Sequence, residues 1–151
     1  MDAAGFRQSI RALVRALGVL DEARTPCGVD VSVREAYALD AIARAEAARQ
    51  PFSQSDLQAA LGVDKSNVTR LVQQLVSDGR VEQRAAEDDA RVRLLHLTPK
   101  GRRVARNVEE QSLQRFAAVV ARIPVAERDA VFRALEVFRL ALDADARETE
   151  P

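Results

Sequence analysis

Gln54 to Gly101 reads QSDLQAALGVDKSNVTRLVQQLVSDGRVEQRAAEDDARVRLLHLTPKG, and the order of its periodicities decides the fold. Two short apolar helical faces are separated by Leu61-Gly62-Val63. Ser53, three residues before Asp56, and Asp64 stand where helix N-caps belong. The second helix keeps Val68, Leu71, Val72, Leu75 and Val76 on one side, the spacing of a buried stripe. Its other side carries Lys65, Ser66, Asn67, Thr69, Arg70, Gln73 and Gln74. A merely solvated face favours Glu/Lys pairs, whereas these are donors and acceptors that suit phosphates and base edges. From Val81 the period falls to two. A strand is followed by a polar tip, Ala85 to Ala90, and a returning strand in which Arg91, Arg93, Leu95 and Leu97 alternate with Val92, Leu94 and His96. Thr98 then caps the next helix and Pro99 opens it, proline being favoured at the first helical position. Helix, turn, helix and charged hairpin predict a winged helix-turn-helix: a mainly α chain with a small β-hairpin wing.

Further helices flank this segment. Residues 6–20 place Ile10, Leu13, Val14, Leu17 and Leu20 at helical spacing, with Arg7, Arg11 and Arg15 elsewhere, and Thr25-Pro26-Cys27-Gly28 breaks the pattern. An Ala-rich helix is expected from Ser32 to Arg49, ended by Pro51. Downstream, a helix from Pro99 to about Arg122 is broken at Ile123-Pro124. A last helix, from about Ala126 to Leu142, carries Val131, Leu135, Phe138 and Leu142, and the polar tail from Asp143 to Pro151 is expected to fray. Val104, Val108, Phe116 and Val119, with Phe132 and Phe138, would be large exposed stripes in a monomer. A second copy would cover them and set two recognition helices about a two-fold axis, as the half-sites of a pseudo-palindromic duplex require.

The chain has 151 residues, 47% hydrophobic and 30% charged, which suits one domain with a moderate core. No apolar run approaches the ~18–20 residues that cross a bilayer. The N-terminus, interrupted by arginines, lacks a signal-peptide block, so a cytoplasmic protein is expected. The net charge is zero, but its distribution is uneven: residues 64–106 hold ten basic and six acidic side chains, and the remainder is acidic in balance. A positive centre between negative flanks gives one face an electrostatic footprint for nucleic acid.

The residues just named also carry a family resemblance. Leu57 to Val63, Ser66 to Val72, Asp78-Gly79-Arg80-Val81, the Asp-x-Arg of Asp89-Ala90-Arg91, and Leu97-Thr98-Pro99-Lys100-Gly101 together resemble the winged helix-turn-helix of MarR (multiple antibiotic resistance regulator) proteins, with flanking helices where that family has its dimerisation helices. The resemblance implies one MarR-type domain over 1–151, with dimerisation helices in 1–31 and 99–145 and a winged helix-turn-helix lobe at 32–98. It implies a homodimeric repressor of double-stranded DNA released by a small-molecule effector. It places Arg91 in the minor groove with Asp89 holding its guanidinium, where a narrow A·T-rich groove concentrates negative potential. It also puts an effector pocket between the dimerisation helices and the lobe, which Phe6, Tyr37, Phe52 and Phe116 would line.

On the residues themselves, Lys65, Ser66 and Asn67 occupy a helix N-terminus, where backbone N–H groups attract phosphate. Arg70, Gln73 and Gln74 lie deeper along the same face; arginine can bind guanine bidentately and glutamine adenine. Arg93 and Arg84 are expected as phosphate neighbours in the wing. Cys27 is the sole cysteine, so neither an intrachain disulfide nor a Cys-rich metal site can form. Some MarR relatives sense oxidants through one helical cysteine supported by tyrosines. Here Cys27 lies in a Pro/Gly turn and Tyr37 is the sole tyrosine, so a plain small residue is expected, with a Cys27 redox switch as the alternative. His96, the one histidine, reads as a strand residue, and Glu87, Asp88 and Asp89 as a solvated tip. No catalytic constellation, metal set or cofactor motif is present. A second alternative is a winged-helix protein-interaction module, which would need an apolar patch in place of this polar face.

Overall fold

The computed structural model describes residues 2–20, 25–86 and 91–149. Its elements run α1 (Ala3–Leu17), α2 (Val33–Ala47), α3 (Gln54–Leu61), α4 (Lys65–Ser77), β1 (Val81–Ala85), β2 (Arg93–Leu97), α5 (Pro99–Ala121) and α6 (Val125–Thr149). They form two units, Met1–Ser112 and Leu113–Pro151.

Local chemistry sets most boundaries in the first unit. Asp2 caps α1 by accepting from the Gly5 N–H (2.8 Å), and Gly18 ends it in the left-handed conformation. The first helix therefore lies three residues earlier than the 6–20 expected from periodicity, because a cap and a positive-φ glycine outrank the apolar spacing. Ser32 and Ser53 each form a capping box, with Glu35 and Asp56 respectively, and the paired bonds fix where α2 and α3 begin. Asp56 is held below the usual carboxylate range by the backbone and side-chain donors of Ser53. Gly62 turns the chain out of α3 at φ 60°, and Asp64 caps α4.

β1 and β2 pair antiparallel, from Val81 opposite Leu97 to Ala85 opposite Arg93. The segment leading into α3 adds a short third edge: the Leu95 N–H donates to the Phe52 carbonyl (2.8 Å), and Ser53 bridges Leu94. The core collects Leu39 and Ile42 from α2, Leu57 from α3, Val68, Val72 and Leu75 from α4, and Val81, Leu95 and Leu97 from the hairpin. Val76, expected in that stripe, is exposed at its margin. Val104 is half-buried against the same core, so it belongs to the lobe and not to the uncovered stripe.

The start of α5 is locked to the end of α4. The Thr98 N–H donates to the Arg80 carbonyl (3.0 Å), and its hydroxyl donates to the Gly79 carbonyl (2.7 Å) and caps the Gly101 N–H (3.0 Å). A Cβ on Gly101 would lie 1.9 Å from the Arg80 oxygen. The last residue of the Leu-Thr-Pro-x-Gly junction is thus a close backbone approach that leaves no room for a side chain.

The second unit holds the end of α5 and all of α6. Contrary to the expected fraying after Leu142, α6 runs unbroken to Thr149. Arg139 explains part of this: it pairs with Glu136 (2.6 Å) and with Asp143 (2.6 Å), one turn to either side.

Candidate nucleic-acid interface

α4 is presented by its own amphipathicity. Val68, Leu71, Val72 and Leu75 are buried, which turns Lys65, Ser66, Arg70 and Gln73 to the exposed side. α3 braces it, the Gln54 Nε2 donating to the Thr69 hydroxyl (2.7 Å), which in turn donates to the Lys65 carbonyl (2.8 Å). Thr69 is thus half-buried between two helices.

The N-terminal turn is occupied by its own cap. Asp64 accepts from the Asn67 N–H (2.9 Å), the Ser66 hydroxyl (2.5 Å) and the Asn67 side-chain amide. These donors, Ser66 first, hold its carboxyl down at about 2. A permanent carboxylate therefore sits where a helix end would otherwise receive an anion, so a phosphate at this end must be met by side-chain cations. Lys65 and Arg70 are the exposed cations on this helix; the Arg70 Nη2 donates to the Asn67 Oδ1 (2.5 Å), which holds the guanidinium along the outer face.

The far end of α4 is gripped from two other helices, α2 and α5. Arg80 is only 17% exposed and donates through Nη1 to the Oε1 of Glu35 on α2 (2.5 Å), with Asp78 at 3.4 Å. The Gln74 Nε2 turns toward the same Glu35 oxygen (3.4 Å), back toward α2. The Lys100 Nζ of α5 donates to the Asp78 carbonyl (2.7 Å). Neither Glu35 nor Arg80 stands out as a site residue in the sequence; the Ser32-x-x-Glu35 capping box is the available signal.

In the wing, Arg93 is exposed at the outer end of β2, opposite Ala85, and Arg91 is exposed just before it. Arg84 pairs with Glu82 (2.5 Å) on the exposed strand. Asp89, expected to support Arg91, lies outside the described residues, as does most of the tip. His96 faces Glu46 at 3.9 Å; the same carboxylate accepts the Leu97 N–H (2.9 Å) and Arg102, pinning the hairpin exit to α2 and α5.

Phe6, Tyr37 and Phe116 are exposed, while Phe52 packs against the lobe core. Two cavities in the first unit are lined otherwise. One of about 390 Å³ is bounded by Cys27, Val31, Arg80, Lys100, Asn107 and Gln111. Another of about 340 Å³ lies between α2 and α5, with Asp40, Glu46, Arg102 and Glu109 in its wall. None of the four aromatics lines either. The Cys27 thiol is half-buried, 3.1 Å from the Thr25 hydroxyl and 3.9 Å from the Val108 carbonyl. Among the described residues, no cluster of three or more His, Cys, Asp or Glu side chains could hold a metal, and no helix is long and apolar enough to cross a membrane.

The chain resembles known proteins at both levels. Residues 29–92 match the model of the MarR family. The HTH-type transcriptional regulator PetP of Rhodobacter capsulatus is 36% identical over 97 residues, 64% of this chain and 54% of its own length. An uncharacterized HTH-type transcriptional regulator of Bacillus subtilis, YdgJ, is 34% identical over 77 residues, 51% of this chain and 47% of its own. The chain spans about half the length of the curated relatives it matches. Streptococcus pneumoniae FabT, solved in complex with DNA, superposes with a TM-score of 0.79 at 22% identity, covering 95% of this chain and 99% of that one. Bordetella bronchiseptica BpsR, solved to explain regulation of its DNA binding by 6-hydroxynicotinic acid, gives a TM-score of 0.66 at 19% identity, covering 91% and 99%. Residues 29–92 thus match the MarR-family model, and the chain has the fold of the solved structures it superposes on, a MarR-family transcription regulator among them.

Proposed function

We propose that this chain is a homodimeric, sequence-specific DNA-binding regulator that acts in the cytoplasm as a repressor and is released by a small molecule. The observation that carries the reading is the outer face of α4: Lys65, Arg70 and Gln73 project from a helix whose opposite face is locked into the lobe core. A protein-docking winged helix would need an apolar patch there, and this face is polar and cationic. Lys65 and Arg70 meet the major groove, Ser66 and Asn67 shape its entry, and Arg91 and Arg93 follow the adjoining minor groove and phosphates from the wing. Thr69 and Gln74, each turned toward another helix, hold α4 in place more than they read bases.

Dimerisation is supported by the apolar residues left outside the core: Leu113, Phe116 and Val119 on α5, and Phe132, Leu135 and Val137 on α6 are 44–67% exposed. The effector reading has a specific support in the 390 Å³ cavity, which is large enough for a small ligand and borders Arg80, the residue that ties α4 to α2. A ligand that favours a dimer with the wrong separation of recognition helices lowers operator affinity by its differential affinity for the two states.

Selection of bound duplexes from random DNA tests the function. The reading expects a pseudo-palindrome with half-sites about one helical turn apart. Recovery of unrelated sequences, bound no better than bulk DNA, would refute it.

A further inference from the structure

Glu35 is the most buried charged side chain among the described residues, at 6% exposure, and it stands outside the surface that meets DNA. Its two oxygens are divided between helices. Oε2 accepts the Ser32 N–H (2.7 Å) and closes the α2 capping box, while Oε1 accepts from Arg80 (2.5 Å) and faces the Gln74 amide (3.4 Å). Arg80 lies three residues past the end of α4: its N–H donates to the Leu75 carbonyl (2.9 Å) and its carbonyl accepts from Thr98 (3.0 Å). The Arg80 Nε is buried without a partner, so the guanidinium is held by the Nη1 contacts to Glu35 and Asp78. A buried ion pair of this kind contributes little net stability compared with an apolar pair, and its better-attested use is to select one arrangement among several.

The two ends of α4 differ in a way that gives this pair a task. At its start, Asp64, Ser66 and Asn67 bond among themselves, and the tie to a neighbouring helix is the uncharged Gln54–Thr69 bond. At its end, Glu35, Thr98 and Lys100 hold Asp78-Gly79-Arg80 from α2 and α5. A helix of 13 residues is about 20 Å long at ~1.5 Å per residue, so a small tilt at the gripped end moves the reading end by ångströms.

We propose that Glu35, through Arg80, is the positioning residue of the recognition helix: the buried pair sets the angle at which α4 presents Lys65 and Arg70, and so governs discrimination between sequences without touching DNA. This rests on the DNA-binding function proposed above. The readout is the ratio of affinity for the selected operator to affinity for random duplex at one salt concentration. A variant that merely loses folded protein weakens both affinities by the same factor and leaves the ratio unchanged.

Glu35→Gln, which keeps an acceptor for the Ser32 N–H and removes the charge, is expected to lower that ratio about tenfold, mostly through the operator. Arg80→Lys, which keeps the charge and loses the planar fork, should do the same, and the double variant should be no worse than either single one, since both break one link. Should Glu35→Gln fail to fold, Arg80→Lys carries the test alone. An unchanged ratio in a folded single variant, or losses that add in the double variant, overturns the proposal. A wild-type protein that does not discriminate operator from random duplex overturns the function itself, and this inference with it.

Discussion

The two units of this chain are built from similar residues and solve opposite problems. In the first, Leu39, Ile42, Leu57 and Leu75 are fully covered by their own chain, and the buried Glu35 carboxylate is paired with Arg80. In the second, from Leu113 onward, no described side chain is buried, and Leu113, Phe132 and Val137 are each more than half exposed. The lobe reaches its core through three helices and a hairpin whose ends are set by caps and glycines. The end of α5 and α6 have length and apolar spacing but too few neighbours of their own. The lobe of the first unit is finished by folding; α1, which buries none of its residues, and the second unit call for association, and the proposed dimer supplies it.

Parallel truncations measure that contrast. Leu39→Ala in the lobe should cost ~2–5 kcal/mol, with an unfolding midpoint that moves equally at every protein concentration. Leu135→Ala on α6 should cost little on dilution and more as concentration rises, because its burial depends on a partner. Thermal or urea unfolding over a hundredfold concentration range separates the two. If both responded alike to dilution, the division into a finished and an unfinished unit would fail.

The next effect sharpens the boundary where the lobe meets α5. Gly101→Ala places a Cβ against the Arg80 carbonyl, and the backbone must part to admit it. A loss of ~1–3 kcal/mol in urea unfolding is expected, the usual cost of forcing atoms into a packed site. A neutral substitution would mean that the α4–α5 junction is looser than its hydrogen bonds imply.

Within the proposed interface, the wing and the recognition helix should fail differently. Arg91→Ala should cost ~1–3 kcal/mol per half-site at A·T-rich flanks and less at G·C-rich ones. Lys65→Ala should weaken all sequences similarly and reduce the salt slope by about one for each phosphate it no longer neutralises. Binding of both variants to both flanks at several salt concentrations reads the difference. Equal affinity of Arg91→Ala and wild type for both flanks would remove the wing from the site.

The smallest expected effect concerns the start of α4. Because the Asp64 carboxyl is lowered to about 2 by Ser66 and Asn67, its cap is fully present above the ordinary value of 3.8 and is lost only as pH falls through about 2. Following the Asn67 amide by NMR during acid titration tests this. A midpoint at the ordinary carboxylate value would show that the cap does not form in solution.

The lobe is readable in sequence because its signals are local and redundant. Ser53, Asp64 and Thr98 name helix starts, Gly62 a turn, and Val68, Leu71, Val72 and Leu75 a face, and each agrees with its neighbours. Boundaries set by one capping group are less visible. Asp2 starts α1 before its apolar pattern begins, and Arg139 helps carry α6 past Leu142, where the apolar pattern fades. Among the candidate site residues, exposure of Lys65, Arg70 and Gln73 follows from helical period alone. The half-burial of Thr69 and the reach of the exposed Gln74 toward α2 do not, since they depend on Gln54 and Glu35, fifteen and thirty-nine residues away. The Glu35–Arg80 pair, forty-five residues apart, is out of reach for the same reason, because no period links residues that meet through the tertiary fold.

If the finished lobes read DNA while the unfinished helices join two copies, the mass of the protein–operator complex will show it. Sedimentation of the chain with its selected duplex should yield two chains per duplex, with free protein at twice the chain mass at micromolar concentration. A folded monomer that binds the same duplex as a single chain would contradict the account.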